Sequence, residues 1–173
     1  MNLKRILQHM ISTNFSVRRK FPKASLDRIT EAVSQAEKGH HGEIRFAVEH
    51  ALDLSLVFRG VTPRLRAIKV FSDLGVWDTE ENNGVLIYLL LADRQVEIVA
   101  DRGLHARVGD EGWEKICLRM EMEFRQGRFE AGAIEGIQAV GALLKNFFPR
   151  TESSGKGGSG ADTNELPDRP VVV

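Results

Sequence analysis

The sequence predicts an α/β protein with a small mixed β-sheet covered by helices on both faces. Residues 85–91 (VLIYLLL) form an unbroken apolar run. As a strand, such a run must be covered on both sides, so it predicts a central strand. Residues 95–100 (QVEIVA) follow a short polar turn at 92–94 and alternate in polarity, which predicts a hairpin. Helical spacing of apolar residues before and after these strands gives the order helix, strand, helix, strand, strand, helix, helix.

The segments before the hairpin have recognisable starts and ends. Ser25 is positioned to cap a helix that ends near Gly39. Residues 41–49 then alternate between apolar and polar, which predicts the first strand. Thr62 followed by Pro63 is typical of a helix N-terminus, and this helix is expected to continue to Gly75.

Two helices are expected after the hairpin. Asp110 and Glu111 supply acidic residues at the start of a helix that continues to about Arg125, where they complement the helix dipole. Gly127 is expected to break the chain. Residues 129–148 place apolar side chains at helical spacing and predict the last helix.

The two ends differ from the middle in composition, so we divide the chain into residues 1–23, 24–149 and 150–173. The first segment has six basic and no acidic side chains. It predicts a basic amphipathic helix with an apolar stripe at Leu3, Ile6, Leu7, Met10 and Ile11 and with Lys4, Arg5, Gln8 and His9 on the polar face. This stripe lies either on a membrane surface or on the protein's own core or a second copy. The last segment, rich in Ser, Gly, Asp and Pro, is expected to be a disordered polar tail.

Several classes of protein are excluded by the same sequence. No apolar stretch is long enough to span a bilayer. No glycine-rich phosphate loop follows the first strand, so no nucleotide cofactor is expected. Neither a nucleophile elbow nor an aromatic and basic surface is recognisable, so we expect no serine hydrolase and no nucleic-acid partner.

Three polar loops are candidates to form a site. They are residues 78–83 (DTEENN), 101–102 and 109–111. Carboxylates gathered from such loops suit calcium, which prefers several oxygen ligands. The predicted metal ligands are Asp78, Glu81, Asp101 and Asp110. Each also has a structural interpretation as a helix cap, a turn residue or a surface ion pair.

The motifs NNGVL (82–86), Asp93-Arg94, Gly103-Leu104 and Asp110 together resemble the TPM domain family, with similarity from about residue 25 to 148. The family includes thylakoid-lumen proteins of photosystem repair and many bacterial envelope proteins. The resemblance implies a three-layer α/β/α Rossmann-like sandwich. It also implies a calcium-binding acidic cleft, as in some members, and acid phosphatase activity, as in some plant members. The expected ligand-binding residues are Asn82, Asn83, Asp93, Arg94, Arg102 and His105.

This chain departs from the family pattern at the cleft. Asn82 stands where the family usually has aspartate, His105 replaces an acidic residue, and Arg102 adds a cation. A guanidinium opposes calcium binding but can pair with a phosphate or carboxylate. We therefore expect a non-catalytic binding or assembly module with an acidic loop cleft, and the alternative is a divalent-cation-dependent phosphatase-like hydrolase.

The expected location is the cytoplasm, peripherally at the inner membrane of a bacterium. The expected partners are an envelope or membrane protein and an anionic membrane surface. The sequence does not predict an oligomeric state.

Overall fold

The structure, a computed structural model, describes residues 3–149 and 164–173. This part of the chain forms seven helices and four strands. In chain order they are α1 (Leu3–Ile11), α2 (Asn14–Lys20), α3 (Lys23–Glu37), β1 (Glu43–Glu49), α4 (Leu54–Phe58), α5 (Pro63–Asp73), β2 (Gly84–Leu90), β3 (Gln95–Ala100), α6 (Arg102–Arg125), α7 (Phe129–Phe147) and β4 (Val171–Val172).

The four strands form one mixed sheet in the order β3-β2-β1-β4. β1 is parallel to both β2 and β4, whereas β2 and β3 are antiparallel, with Val85 opposite Ala100. The carboxyl ends of β1 and β2 and the hairpin turn therefore lie at one end of the sheet. The amino ends of β1 and β2 lie at the other end, together with the carboxyl end of β3.

Helices cover both faces of the sheet, as predicted. Every residue of β2 is buried. Side chains that alternate along β2 belong to two separate apolar clusters, one containing Val85, Ile87 and Leu89 and the other containing Leu86 and Leu90. The first cluster packs against α2, α3, α6 and α7, and the second packs against α1, α4 and α5. The three-layer α/β/α sandwich is therefore confirmed.

Some predicted helix ends are confirmed and others are wrong. Thr62 caps α5 by accepting a hydrogen bond from the Leu65 N–H. Ser25, in contrast, does not cap α3. That helix begins at Lys23 after Pro22, and the buried Ser25 hydroxyl donates to Glu130 Oε2 at 2.6 Å. Ser25 thus bonds Glu130 of α7, 105 residues away, instead of capping its own helix.

The helix after the hairpin begins earlier than predicted. α6 starts at Arg102, and Gly109 interrupts it with φ 72° and ψ 166°. Asp110 therefore starts the second part of α6, which corresponds to the helix predicted from the sequence. Gly127 has φ 79° and separates α6 from α7, which confirms the predicted break.

The expectation of a disordered tail at 150–173 is wrong for its last ten residues, while residues 150–163 lie outside the described residues. β4 pairs with β1 and forms an edge of the sheet. Leu166 is buried in the second apolar cluster, and its N–H donates to Glu43 Oε2 at 3.2 Å. Arg45 Nη1 donates to the carbonyl oxygens of Pro167 and Arg169. Contacts to β1 thus offset the low apolar content of this segment.

Glu43 makes the docking of this segment sensitive to pH. Burial raises the pKa of Glu43, backbone hydrogen bonds from Leu166 and Glu165 oppose the rise, and the charges of Glu165 and Asp168 add to it. Because the pKa is higher in the folded protein, the native state binds more protons between the unfolded and folded pKa values, and stability falls as pH rises through that window. At pH values above the folded pKa of Glu43, the buried carboxylate is charged and continues to lower the free energy of unfolding.

We therefore expect Glu43→Gln, which retains an acceptor for the Leu166 N–H, to be more stable than the parent at neutral pH. The difference should shrink towards acidic pH, where Glu43 itself is neutral. Denaturant unfolding of both proteins across this pH range measures the difference. Parallel pH profiles for the two proteins would show that Glu43 is not the responsible group.

Candidate functional site

Asn83 and Asp101 lie together at the amino end of β2. The Gly84 N–H donates to Asp101 Oδ2 at 2.9 Å, and the Asp101 N–H donates to the Gly84 carbonyl oxygen at 3.0 Å. Asn83 is buried, its N–H donates to Thr79 Oγ1 at 3.1 Å, and its side-chain amide donates to the His41 carbonyl oxygen. Burial raises the pKa of Asp101, and the hydrogen bond from Gly84 opposes that rise. The Asp101 side chain therefore joins the hairpin ends, and the Asn83 side chain joins the start of β2 to the segment before β1.

The other residues predicted around this loop do not join them. The side chains of Asp78, Glu81, Asn82 and Arg102 are exposed to solvent. Asp110 is 94% exposed, and its Oδ1 lies 3.6 Å from Nε2 of His105. Asp110 also lines a depression along β3 that includes Glu97 and Glu114, so it lies against a different part of the surface.

In the part of the chain that the structure describes, no group of three or more His, Cys, Asp or Glu side chains is arranged to hold a metal ion. The four predicted metal ligands are all within that part. Calcium binding therefore stays a prediction from the sequence, and calorimetric titration with calcium would test it.

Asp93 lies at the opposite end of the sheet, in the turn between β2 and β3. Its carboxylate accepts hydrogen bonds from Arg5, with Nε to Oδ1 at 3.0 Å and Nη2 to Oδ2 at 2.9 Å. Nε2 of His9 lies 3.1 Å from Oδ1. The Leu52 N–H donates to Nδ1 of His9 at 2.9 Å, so the ring proton is on Nε2, which donates to Asp93. Asp93 therefore binds α1 through two side chains.

Two further loops at this end also contact α1. Arg5 Nη2 donates to the Val61 carbonyl oxygen at 2.8 Å, and the Ser12 hydroxyl after α1 donates to the His50 carbonyl oxygen at 2.7 Å. Of the predicted apolar stripe, Ile6 alone is buried. The face of α1 that docks on the protein is thus its polar face, with Arg5 and His9.

The apolar stripe of α1 therefore points away from the protein core. Leu3, Leu7, Met10 and Ile11 are all exposed, and Phe15 at the start of α2 is exposed as well. The sequence-based alternative in which this stripe lies on the protein's own core is wrong for these four residues of α1. The remaining candidates to cover this stripe are a membrane surface and a second copy of the chain.

A pocket of about 370 Å³ opens at the same end of the sheet, next to the docked helix. Its walls come from α1, α2, the carboxyl end of β2, the hairpin turn and the corner between α6 and α7. Its charged lining residues are Lys20, Arg94, Glu121 and Arg125, and its neutral polar ones are Gln8, Ser12 and Ser16. In an open α/β sheet, ligands bind outside the carboxyl ends of strands, and this pocket has that position.

The structure thus separates the predicted ligand-binding residues. Asn82, Asn83 and Arg102 lie at the amino end of β2, whereas Asp93 and Arg94 lie at its carboxyl end. Of the six, Arg94 lines the pocket. Sequence reasoning missed Lys20 and Arg125, although the excess of basic residues in 1–23 and the break near Gly127 were both recognised.

A three-layer α/β domain with a small mixed sheet, no glycine-rich phosphate loop and a pocket at the carboxyl ends of its strands has a Rossmann-like fold. The described residues contain no helix with the length and apolarity needed to cross a membrane.

Within this class the chain belongs to the TPM domain family, whose profile matches residues 19–143. The solved structure of BA42 from the psychrophilic bacterium Bizionia argentinensis is similar, with 29% identity and a TM-score of 0.72, over 87% of this chain and 93% of BA42. The N-terminal domain of a protein from P. gingivalis is 25% identical with a TM-score of 0.56, over 72% of this chain and 76% of that one. Comparison with curated proteins finds no match.

Proposed function

We propose that this protein is a non-catalytic TPM binding module that attaches to an anionic membrane surface through α1 and α2. The observation that carries the proposal is the inverted docking of α1. Because Arg5 and His9 bind Asp93, the apolar residues on the other side of α1 are free to contact the apolar interior of a membrane. Large apolar side chains grouped on an exposed surface mark an interaction site.

The charge of the same helices favours a lipid surface as the occupant. Residues 3–23 contain no carboxylate side chain. In the described part of the chain, ion pairs engage Arg5 and Lys23, whereas Lys4, Arg18 and Arg19 have no carboxylate partner there. Each such cation near an anionic bilayer contributes about 1 kcal/mol, and the apolar stripe adds its own burial. A second copy of the same chain would instead bring these unpaired cations together.

Co-sedimentation with anionic vesicles tests this proposal. The chosen variant is Leu7→Glu with Met10→Glu, because these side chains are 57% and 61% exposed and have no core role. Burying a leucine or methionine contributes about 1.5–3 kcal/mol, so the double variant should bind at least tenfold more weakly. Binding of the parent should also weaken with salt.

The chain contains a matched control. Leu118 and Met122 on α6 are the same pair of residue types and are 49% and 54% exposed. Leu118→Glu with Met122→Glu should leave vesicle binding unchanged. Equal pelleting of both double variants would show that the α1 stripe does not bind the membrane. A parent protein that is a dimer, does not bind vesicles and becomes a monomer in the α1 variant would show that a second copy covers the stripe.

Removal of residues 1–22 would not isolate the outer surface of α1. Val17 and Phe21 in that segment are buried in the first apolar cluster, and Phe21 makes edge contacts with the rings of Phe46, Phe124 and Phe129. A truncated protein would lose core packing as well as the surface under test. Point changes on the outer side of α1 separate the two effects.

The phosphatase-like alternative from the sequence stays a prediction. Its expected cation ligands are Asp110, Asn82 and either Asp78 or Glu81, and all of these side chains are exposed. Hydrolysis of a generic phosphate monoester in the presence of calcium or magnesium, lost in Asp110→Asn, would favour it over the binding module.

A further inference from the structure

We propose that the pocket at the carboxyl end of β2 binds a phosphate ester, with the phosphate held by Lys20, Arg94 and Arg125. The pocket shares Ile11 with the apolar stripe of α1 but does not include Leu3, Leu7 or Met10, and the proposal does not depend on membrane binding. Its supports are the balance of charge in the pocket, the placement of the cations and the apolar part of the lining.

The pocket has a surplus of positive charge. Three cations line it together with one carboxylate, that of Glu121. Glu121 is already engaged, because its Oε2 accepts from Arg125 Nη2 at 2.9 Å and its Oε1 accepts from the Val96 N–H at 3.1 Å. The net charge of the lining side chains is therefore +2, which is the charge that a phosphate monoester dianion neutralises.

Lys20 and Arg94 are held close to each other by parts of the fold that do not depend on a ligand. Lys20 ends α2, and its Nζ lies 5.3 Å from the centre of the Phe129 ring. Arg94 is in the hairpin turn, where its backbone has φ 55° and its N–H donates to the Leu91 carbonyl oxygen at 3.2 Å. Among the described residues, Arg125 forms an ion pair with Glu121 in this pocket, whereas Lys20 and Arg94 form no ion pair with a carboxylate.

The electrostatics agree with this geometry. Burial lowers the pKa of Lys20, and the neighbouring charges of Arg19 and Arg94 lower it further. An anion between Lys20 and Arg94 would offset their mutual repulsion. Guanidinium groups match phosphate oxygens through pairs of hydrogen bonds, and an ammonium group adds a point charge.

The remaining lining determines the class of ester. Gln8 and Ser16 offer neutral donors near the cations, whereas Leu89, Leu91 and Phe129 provide an apolar wall. The volume of about 370 Å³ exceeds that needed for phosphate alone and lies in the range of small-ligand pockets. The geometry therefore favours a phosphate that carries a small apolar substituent. A soluble phosphate ester and a lipid headgroup both provide this chemistry.

Calorimetric titration of the full chain with phenyl phosphate tests the proposal. Losing one charge-assisted hydrogen bond to an anion weakens binding about tenfold, so Arg94→Gln and Lys20→Gln should each raise the Kd of phenyl phosphate by at least that factor. The matched control is Arg19→Gln, which removes the same charge from the residue next to Lys20 outside the pocket lining. We expect it to change Kd less than about twofold.

Arg94 is exposed, so its substitution leaves the fold intact and keeps the test valid even if Lys20→Gln loses stability. One further ligand, short-chain phosphatidate, distinguishes the sources of phosphate. Tighter binding of short-chain phosphatidate than of phenyl phosphate would identify a lipid headgroup, whereas equal affinities would identify a soluble ester. Absence of binding at millimolar phenyl phosphate, or binding that Arg94→Gln leaves unchanged, would overturn the proposal. Neither result would alter the vesicle experiment with Leu7 and Met10.

Discussion

Replacing Asp93 with asparagine is expected to release α1 from the rest of the protein. The Asp93 carboxylate is 8% exposed and is bound by Arg5 and His9. Asparagine keeps the shape but removes the charge and one of the two acceptor oxygens, which breaks the ion pair between Arg5 and this side chain. Removing one partner of a buried ion pair costs about 3–5 kcal/mol, and for this partly exposed pair we expect about 2–3 kcal/mol.

The release should be local. Hydrogen exchange of the α1 amides is expected to accelerate by orders of magnitude, while the amides of β1 and β2 keep their protection because their packing does not use Asp93. Asp73→Asn is a suitable control, because Asp73 pairs with Lys69 on the surface of α5 and its loss should cost less than about 0.5 kcal/mol. Unchanged protection of α1 in Asp93→Asn would show that Ile6 and the loop contacts hold the helix without the ion pair.

The same variant separates the two proposed binding surfaces. Gln8 and Ser12 would leave the pocket with α1, so phenyl phosphate binding should weaken. The apolar stripe would remain available, and Ile6 would be added to it, so vesicle binding should persist or increase. Opposite responses of the two ligands to one substitution would show that the pocket and the outer stripe act independently.

The central strand and the hairpin were predictable from the sequence because their evidence is local. Residues 85–91 are apolar without interruption, and a polar turn and an alternating strand follow directly, so the central position of β2 and the hairpin could be inferred from neighbouring residues. The cap at Thr62 and the break at Gly127 are similarly local. Burial of all seven residues of β2 agrees with that inference.

The orientation of α1 was not predictable in the same way. Helical periodicity identifies the apolar stripe but does not tell whether it faces the core, a membrane or a second copy. Here Arg5 pairs with Asp93, 88 residues away along the chain, and no pattern of neighbouring residues reveals such a distant partner. The pairing of β4 with β1 was missed for a related reason, since two residues beyond a polar, glycine-rich segment give little local signal.

The candidate sites show the same limit. The loop motif around Asn82 and Asn83 was recognisable by resemblance. Recognition did not reveal that Asp101 joins the hairpin ends through Gly84, or that Asn83 is bonded to Thr79 and to the His41 carbonyl oxygen. The pocket could not be found from sequence because its lining comes from five separate segments. Arg94 was identified from a motif, whereas Lys20 and Arg125 become its neighbours only after folding.

Gly84, the glycine of the NNGVL motif, gives the largest predicted loss of stability. A Cβ at this position would overlap the carbonyl oxygen of Val76, a backbone atom that cannot move without shifting the chain before β2. The Gly84 N–H and carbonyl oxygen are both bonded to Asp101, so the strand cannot move away either. We expect Gly84→Ala to lower the free energy of unfolding by about 3 kcal/mol or more.

Gly103→Ala is the matched control for this prediction. A Cβ at Gly103 meets no atom within 4 Å, and the residue lies in the first turn of α6, where alanine favours the helix by up to about 1 kcal/mol. Denaturant unfolding should therefore show opposite signs for the two glycine-to-alanine changes. A stable Gly84→Ala protein that lost binding of a small ligand would instead indicate that the glycine leaves space for that ligand. Loss of stability in Gly84→Ala would show that the NNGVL motif has a structural role at the amino end of β2. The ligand site would then be expected at the carboxyl end of β2.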